Sequence, residues 1–323
     1  MSQNADQNRF LGTLLGMAIG DALGMPVTGW AADRIRERIG SVDDYHRRVF
    51  DDGAEIKAGE FTDESEIALC IVEATTANGG VLDPDLIGPR MLYLARGESK
   101  RWMHADTLTA LGIAEDSLNF SVPLNEDGPS TGDVALRGVP VGLIHSVGAV
   151  SEEKLRQDAE IATRLTHGSP RAIASVGAVA YGVMLAARDL AGGPDLAEQT
   201  ARFLGGGSIA DALEATGIAS LDSAIAALGD GNDAAAVIGT GFAAAIEARS
   251  FEEAVFGAVN AGGAADSRGA LAGALAGARF GASGIPQELI DHLEGRIYIS
   301  LAAPWFSKTA MRRAGLLIDL HPN

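Results

Sequence analysis

Two short runs of this chain carry oxygen-bearing side chains in a pattern that suits a hard cation: Thr62-Asp63-Glu64-Ser65 and Asp266-Ser267. Mg²⁺ and Mn²⁺ take carboxylate, hydroxyl and water oxygens. Adjacent ligands can converge at a helix start, where they are not yet spread by helical rotation. Two such starts facing each other would bring Thr62, Asp63, Glu64, Asp266 and Ser267 to one place. A second reading fits the same residues. Asp63 suits an N-cap, with Glu66 three positions later completing a capping box, and Asp266 is a competent N-cap. Capping and metal binding are compatible.

What must hold these starts in position is visible as a glycine stripe beside each acid. Gly12, Gly16, Gly20 and Gly24 flank Asp21, and Gly269, Gly273, Gly277 and Gly281 follow Asp266. A four-residue interval places each set on one helix face. Glycine costs about 1 kcal/mol per helical position relative to alanine, so each stripe gives up about 4 kcal/mol. Close helix–helix approach is the compensation we expect, with the acidic ends held rigidly by it. Asp21 then serves as a general base or as a buttress behind the ligands.

The surrounding sequence reads as all-α. Small residues dominate the apolar runs, aromatics are only 5%, and glycines number 41. Helices are predicted at Asn8–Gly24, Asp63–Asn78, Ser151–Leu165, Pro170–Leu190, Ala234–Ala248, Phe251–Asn260, Asp266–Phe280 and Pro286–Leu301. Pro170 and Pro286 suit a first helical turn. Residues 118–131 lack helical periodicity, and Gly205–Gly207 marks a flexible point. Neither is long enough for a linker, so residues 1–323 form one compact many-helix domain. The net charge of −18 argues against a nucleic-acid backbone partner and suits cation binding. The single cysteine, Cys70, sits among Ile67, Ala68 and Ile71 and reads as a buried thiol. The polar start MSQNADQNR lacks a basic n-region, and both Phe10–Gly20 and Ala172–Ala187 are too short to span a bilayer. A cytoplasmic protein without membrane partners is the expectation.

Four blocks, FLGTLLGMAIGDALGMP, FTDES, THGSPRA and AVNAGGAADSRGALAGALAGARFG, fall in one order over residues 10–281. Together they resemble the ADP-ribosylglycohydrolase family. The resemblance implies an all-helical fold and hydrolysis of a glycosidic bond to the anomeric carbon of ADP-ribose. It further implies a pair of Mg²⁺ or Mn²⁺ ions and, as ligand, a ribosyl or ADP-ribosyl compound or an ADP-ribosylated protein. Metal ligands would fall on Thr62, Asp63, Glu64, Asp266 and Ser267, and His167 matches a pocket-lining segment.

Several positions depart from the family pattern. Glu64 stands where aspartate is usual, Ala264 replaces a carboxylate, Ser267 replaces threonine and Thr28 replaces an acid near the substrate. The phosphate-contacting region carries Asp133 and keeps Arg137. Loss of the carboxylate at position 264 favours one tight ion rather than two. The chain is then a hydrolase of altered substrate range or a non-hydrolytic ligand-binding or structural relative. With a metal bound, Glu64 or Asp21 would be the base. His104, His145 and His292 lack ligand-type spacing and read as structural. Trp30, Trp102 and Trp305 read as packing residues. The Gly239–Ala244 stretch lacks the βαβ context of a dinucleotide fingerprint.

Overall fold

The computed structural model describes residues 3–217 and 220–316. Those residues form an all-α assembly, with one antiparallel two-residue strand pair (Arg48–Val49 with Glu55–Ile56) near the N-terminal third. The organising contact is between the Gln3–Gly24 and Ala265–Phe280 helices, which run antiparallel at the centre. A methyl group at Gly12 would sit 2.5 Å from the Gly277 carbonyl oxygen, at Gly16 2.1 Å from that of Gly273, and at Gly20 1.9 Å from that of Gly269. At Gly24 it would sit 2.2 Å from the carbonyl of Ala265. Backbone therefore lies on backbone along the whole seam, which only glycine permits. This antiparallel register carries the C-terminal turn of one helix, with Asp21, to the N-terminal turn of the other, with Asp266.

Gly281 is not a fourth member of its stripe. It has φ +72° and caps the helix against Asn8, whose amide nitrogen would be 2.1 Å from an added methyl. The Asp63–Ala77, Pro170–Ala187, Ala234–Glu247 and Phe251–Asn260 helices pack around the central pair. Pro170 occupies the first turn of its helix, with Ser169 capping by accepting from the Ala172 amide. The Pro286–Leu301 helix is corrected. It is two helices, Gln287–His292 and Arg296–Arg313, with Pro286 at the N-cap of the first. The break falls at Gly295, whose φ of +71° turns the chain, while the Glu294 amide donates to the Gly59 carbonyl at 2.8 Å.

Capping is corrected too. The N-cap of Asp63–Ala77 is Thr62, not Asp63, and Ala264 occupies that position before Ala265–Phe280 without a side-chain bond. Asp63 is thus the first and Asp266 the second residue of its helix, the Asp266 carboxylate still accepting from the backbone there. Two helices, Gln7–Val27 and Pro170–Ala187, do reach membrane-spanning length and hydropathy, contrary to the length expectation, yet 94% and 72% of the relevant windows lie inside the fold.

Candidate functional site

Asp21 is fully buried and accepts four hydrogen bonds from the start of the Asp63–Ala77 helix. The donors are the Thr62 amide (3.0 Å) and hydroxyl (3.0 Å) and the Ser65 amide (3.3 Å) and hydroxyl (2.7 Å). These bonds fix the orientation of the helix start relative to the central pair. Burial nevertheless pushes the Asp21 carboxyl up to about 7, with the Ser65 and Thr62 bonds opposing and the Asp266 charge adding to the rise. Saturated in this way, Asp21 holds the site from behind and does not line its cavity.

The cavity itself is small, about 90 Å³, and polar. From one helix start come Thr62, Asp63 and Glu64, and from the other comes Asp266. Asp133, Asn232, Trp102, His104 and Met25 complete the lining. The two acidic runs therefore meet in space. Burial, followed by neighbouring carboxylate charge, pushes Asp63 and Glu64 well above the usual carboxylate range. Burial raises Asp266 as well, against the hydrogen bond from Thr28. Among the described residues, no lysine or arginine lines the cavity, although the Arg137 charge opposes the rise at Asp63.

Each remaining expected residue has a defined place. The Ser267 hydroxyl donates to Glu64 Oε1 and stands 3.2 Å from Asn232 Oδ1. Glu64 Oε2 and Asp133 Oδ1 are buried with no partner. The Thr28 hydroxyl donates to Asp266 Oδ1 at 2.8 Å, so it orients that carboxylate. Arg137 and His167 do not line the cavity. Arg137 is buried beneath it, donating to Thr166 and Thr107, and the Thr166 hydroxyl lies 2.8 Å from His167 Nδ1. Burial brings Arg137 down to about 10, opposed by Asp133 and Asp63, and brings His167 down to about 4, helped by the Arg137 charge. Among the described residues, no three His, Cys, Asp or Glu side chains converge as a finished metal cage.

Sequence reasoning missed Asn232, His104 and Trp102. Asn232 lies in the Gly229–Asp233 loop, and its carbonyl and side-chain oxygens both accept from the Gly132 amide (3.2 and 3.1 Å). The loop is secured by Arg268, a fully buried arginine that donates to the carbonyls of Gly262 (2.7 Å) and Asp230 (3.1 Å) and to the Thr240 hydroxyl (2.9 Å). Nothing local in sequence marks Asn232, although a charged residue inside the glycine–alanine run at 268 marks a polar tie. Of the histidines read as structural, His145 is one, paired with Asp158 at 2.8 Å, whereas His104 lies at the cavity.

A larger cleft, about 830 Å³, runs along the other face of the Asp63–Ala77 helix past Phe61, Leu69, Cys70, Tyr93 and Tyr298. It shares Trp102 with the acidic cavity. Its greater size suits a ligand body, whereas the converging buried carboxylates are in the smaller cavity.

Comparison with known proteins agrees with this geometry. The chain is 28% identical over 316 residues to an uncharacterized protein of Archaeoglobus fulgidus, covering 95% of this chain and 98% of that one. It is 26% identical over 305 residues to the ADP-ribosyl-[dinitrogen reductase] glycohydrolase of Rhodospirillum rubrum, covering 90% and 92%. A solved structure titled ADP-ribosylglycohydrolase-related protein complex superposes with a TM-score of 0.78 at 25% identity, covering 95% of this chain and 100% of the other. The ADP-ribosylglycohydrolase family model matches residues 2–316. With the seam, the acidic cavity and these similarities in agreement, the chain belongs to the ADP-ribosylglycohydrolase family.

Proposed function

We propose that the protein is a cation-dependent hydrolase of a ribosyl glycosidic bond, acting on an ADP-ribosyl or related ribosyl compound. The observation that carries this reading is the acidic cavity built by the two helix starts at Asp63 and Asp266. Cleavage at an anomeric carbon passes through an oxocarbenium-like state, so the site must deliver water and stabilise positive charge.

The residues present fit one hard cation. Asp63, Glu64, Asp133 and Asp266 surround a polar space without an ion pair among the described residues, and two of their buried oxygens lack partners. Because the carboxylates do not form a finished cage, a Mg²⁺ or Mn²⁺ ion would be held by one or two of them, with neutral oxygens and retained water. Mg²⁺ is commonly bound in that way. When bound, such an ion supplies polarisation of a water molecule and orientation of sugar hydroxyls.

The chain's own groups divide the remaining work. Glu64 is the base in this reading. Ser267 holds its Oε1, leaving Oε2 free to take a proton from the attacking water, and its raised affinity for protons suits that role. The charges of Asp63, Asp133 and Asp266 favour the positive sugar centre. Asp21 positions Thr62 and Ser65 and takes no proton from substrate. Only the anomeric edge of the ribosyl group reaches the small cavity, while the rest of the ligand lies outside it, because about 90 Å³ admits little more than an ion and its water.

Mg²⁺ titration calorimetry with turnover of an ADP-ribosylated substrate tests the proposal. Wild type binds the ion and releases ribosyl product. Asp63→Asn and Asp266→Asn each lose ion binding at least tenfold and lose turnover. Ribosyl release by either variant at the wild-type rate would overturn the reading. A non-hydrolytic binding role is the second reading, favoured by the missing carboxylate at Ala264. Absence of heat at millimolar Mg²⁺ and of turnover would select it.

A further inference from the structure

A line of alternating cationic and aromatic side chains borders the acidic cavity. The Arg34 guanidinium lies 4.4 Å from the Trp30 ring centre, and Arg48 lies 5.2 Å from the same ring and 4.3 Å from Phe50. Phe50 packs on Trp102 at 5.4 Å, and Arg101 lies 4.8 Å over Trp102. Trp102 lines the cavity, so the row ends at the candidate site. Its other side is also tied there. Arg48 donates to the carbonyls of Thr28 (2.9 Å) and Pro26 (3.3 Å), and Thr28 in turn holds Asp266.

The cations of this row are unequally occupied. Arg101 is paired with Glu60 and Glu98. Among the described residues, neither Arg34 nor Arg48 has a carboxylate within ion-pair distance; Asp51 acts on Arg48 only through space. The two guanidiniums repel each other, and together with burial this lowers the Arg48 affinity for its proton. The indole N–H of Trp30, between them in the row, has no acceptor. Two guanidiniums thus share one ring without an ion-paired carboxylate, and an anion that meets both would gain from each. Arg137, a further guanidinium near the cavity, lies beneath it and donates to Thr166 and Thr107.

We infer that Arg34 and Arg48, backed by Trp30, form a binding site for a phosphoryl group of the ligand whose ribosyl end enters the acidic cavity. Guanidinium forks match phosphate oxygens, and stacking on aromatic rings holds them in place for that contact. The assignment of the ligand's other end rests on the proposed function, but the phosphoryl site itself does not.

Inorganic pyrophosphate and adenosine monophosphate, titrated calorimetrically against the full chain without divalent metal, test it. Arg34→Gln and Arg48→Gln are the variants, because glutamine keeps an amide donor for the Pro26 and Thr28 carbonyls while removing the charge. Each substitution should weaken pyrophosphate binding about tenfold, and the wild-type affinity should fall steeply with salt. Tighter binding of the monophosphate than of pyrophosphate assigns the phosphoryl group to a nucleotide that stacks on the row. The reverse order assigns it to a free or sugar-borne phosphate. No binding by wild type, or equal binding by wild type and both variants, overturns the inference. Loss of ribosyl turnover in Asp63→Asn with pyrophosphate binding intact separates this site from the hydrolytic one.

Discussion

Replacing Gly20 by alanine should destabilise the protein, although the same change on an open helix face should stabilise it. An alanine methyl at Gly20 would lie 1.9 Å from the Gly269 carbonyl oxygen, 2.3 Å from its carbon and 2.7 Å from the Ala270 nitrogen. All three are backbone atoms, so no rotamer change can relieve the overlap. The two central helices would have to separate by roughly 1.5 Å to reach ordinary contact distance. Alanine recovers at most about 1 kcal/mol of helix propensity. Overpacking typically costs about 1–3 kcal/mol even where side chains can adjust, and here the seam loses dispersion along its length. A net loss of about 2–3 kcal/mol follows, with Tm lower by roughly 5 °C. Gly112, in the Ala105–Ser117 helix, is the control, since an added methyl there meets nothing within 4 Å. Gly112→Ala should gain about 0.4–1 kcal/mol. Urea unfolding of the two variants measures both, and ion binding to Gly20→Ala reads the displacement of Asp21 from Asp266. A neutral or stabilised Gly20→Ala protein would refute the close seam and with it the positioning of the cavity.

Two further outcomes concern the charged interior. Asp21 is pushed up to about 7 by burial, and Asp63, Glu64 and Asp266 are also raised. The unfolded chain therefore binds fewer protons than the folded one between about pH 4 and 7, and stability falls as pH rises through that window. His167, brought down to about 4, acts oppositely up to about 6.5 but is one group against four carboxyls. The lowered Asp158 and Asp233 act only below about pH 4. Metal-free protein should thus show a higher urea midpoint at pH 5.5 than at pH 7.5, and a rising profile would count against the buried acidic cluster. Arg268→Met would leave the Gly262 and Asp230 carbonyls without their donor, costing about 3 kcal/mol or more in urea unfolding. An unchanged midpoint would show that the Gly229–Asp233 loop is held by other contacts.

How much of this was legible in sequence depended on whether a feature left a local period. The glycine interval of four did, because backbone contact between helices demands a small residue at every turn on one face. It predicted close helix–helix approach with the acidic ends held by it, while the meeting of the Asp63 and Asp266 starts was read from their own oxygen-bearing clusters. The Pro170 start and the Phe251–Asn260 helix were readable from local residues too. Gly295 was not. Its left-handed conformation is set by the chain folding back against Gly59 and Phe61, a contact far away in sequence. Capping was misread because Asp63 and Asp266 have good N-cap chemistry, but tertiary contacts placed Thr62 and Ala264 at those positions instead.

The cavity lining exposes the same limit from another side. Thr62, Asp63, Glu64 and Asp266 were visible because each lies beside a periodic element. Asn232 and Trp102 come from a loop and the end of a short helical turn, where no period exists and the position is set by Arg268, by the Gly132 amide or by Phe50, and His104 precedes the Ala105–Ser117 helix, which was not among the predicted ones. Asp21 shows how geometry changes a role that chemistry alone left open. As an aspartate beside the site it qualified as base or buttress, but four hydrogen bonds occupy its oxygens, whereas Glu64 keeps one oxygen free. A carboxylate oxygen already committed to several donors has little capacity left to accept a proton. The different placing of these two acids therefore follows from hydrogen-bond saturation, with Asp21 fixing the helix start and Glu64 lining the cavity, and that is why the proposed mechanism assigns the base to Glu64.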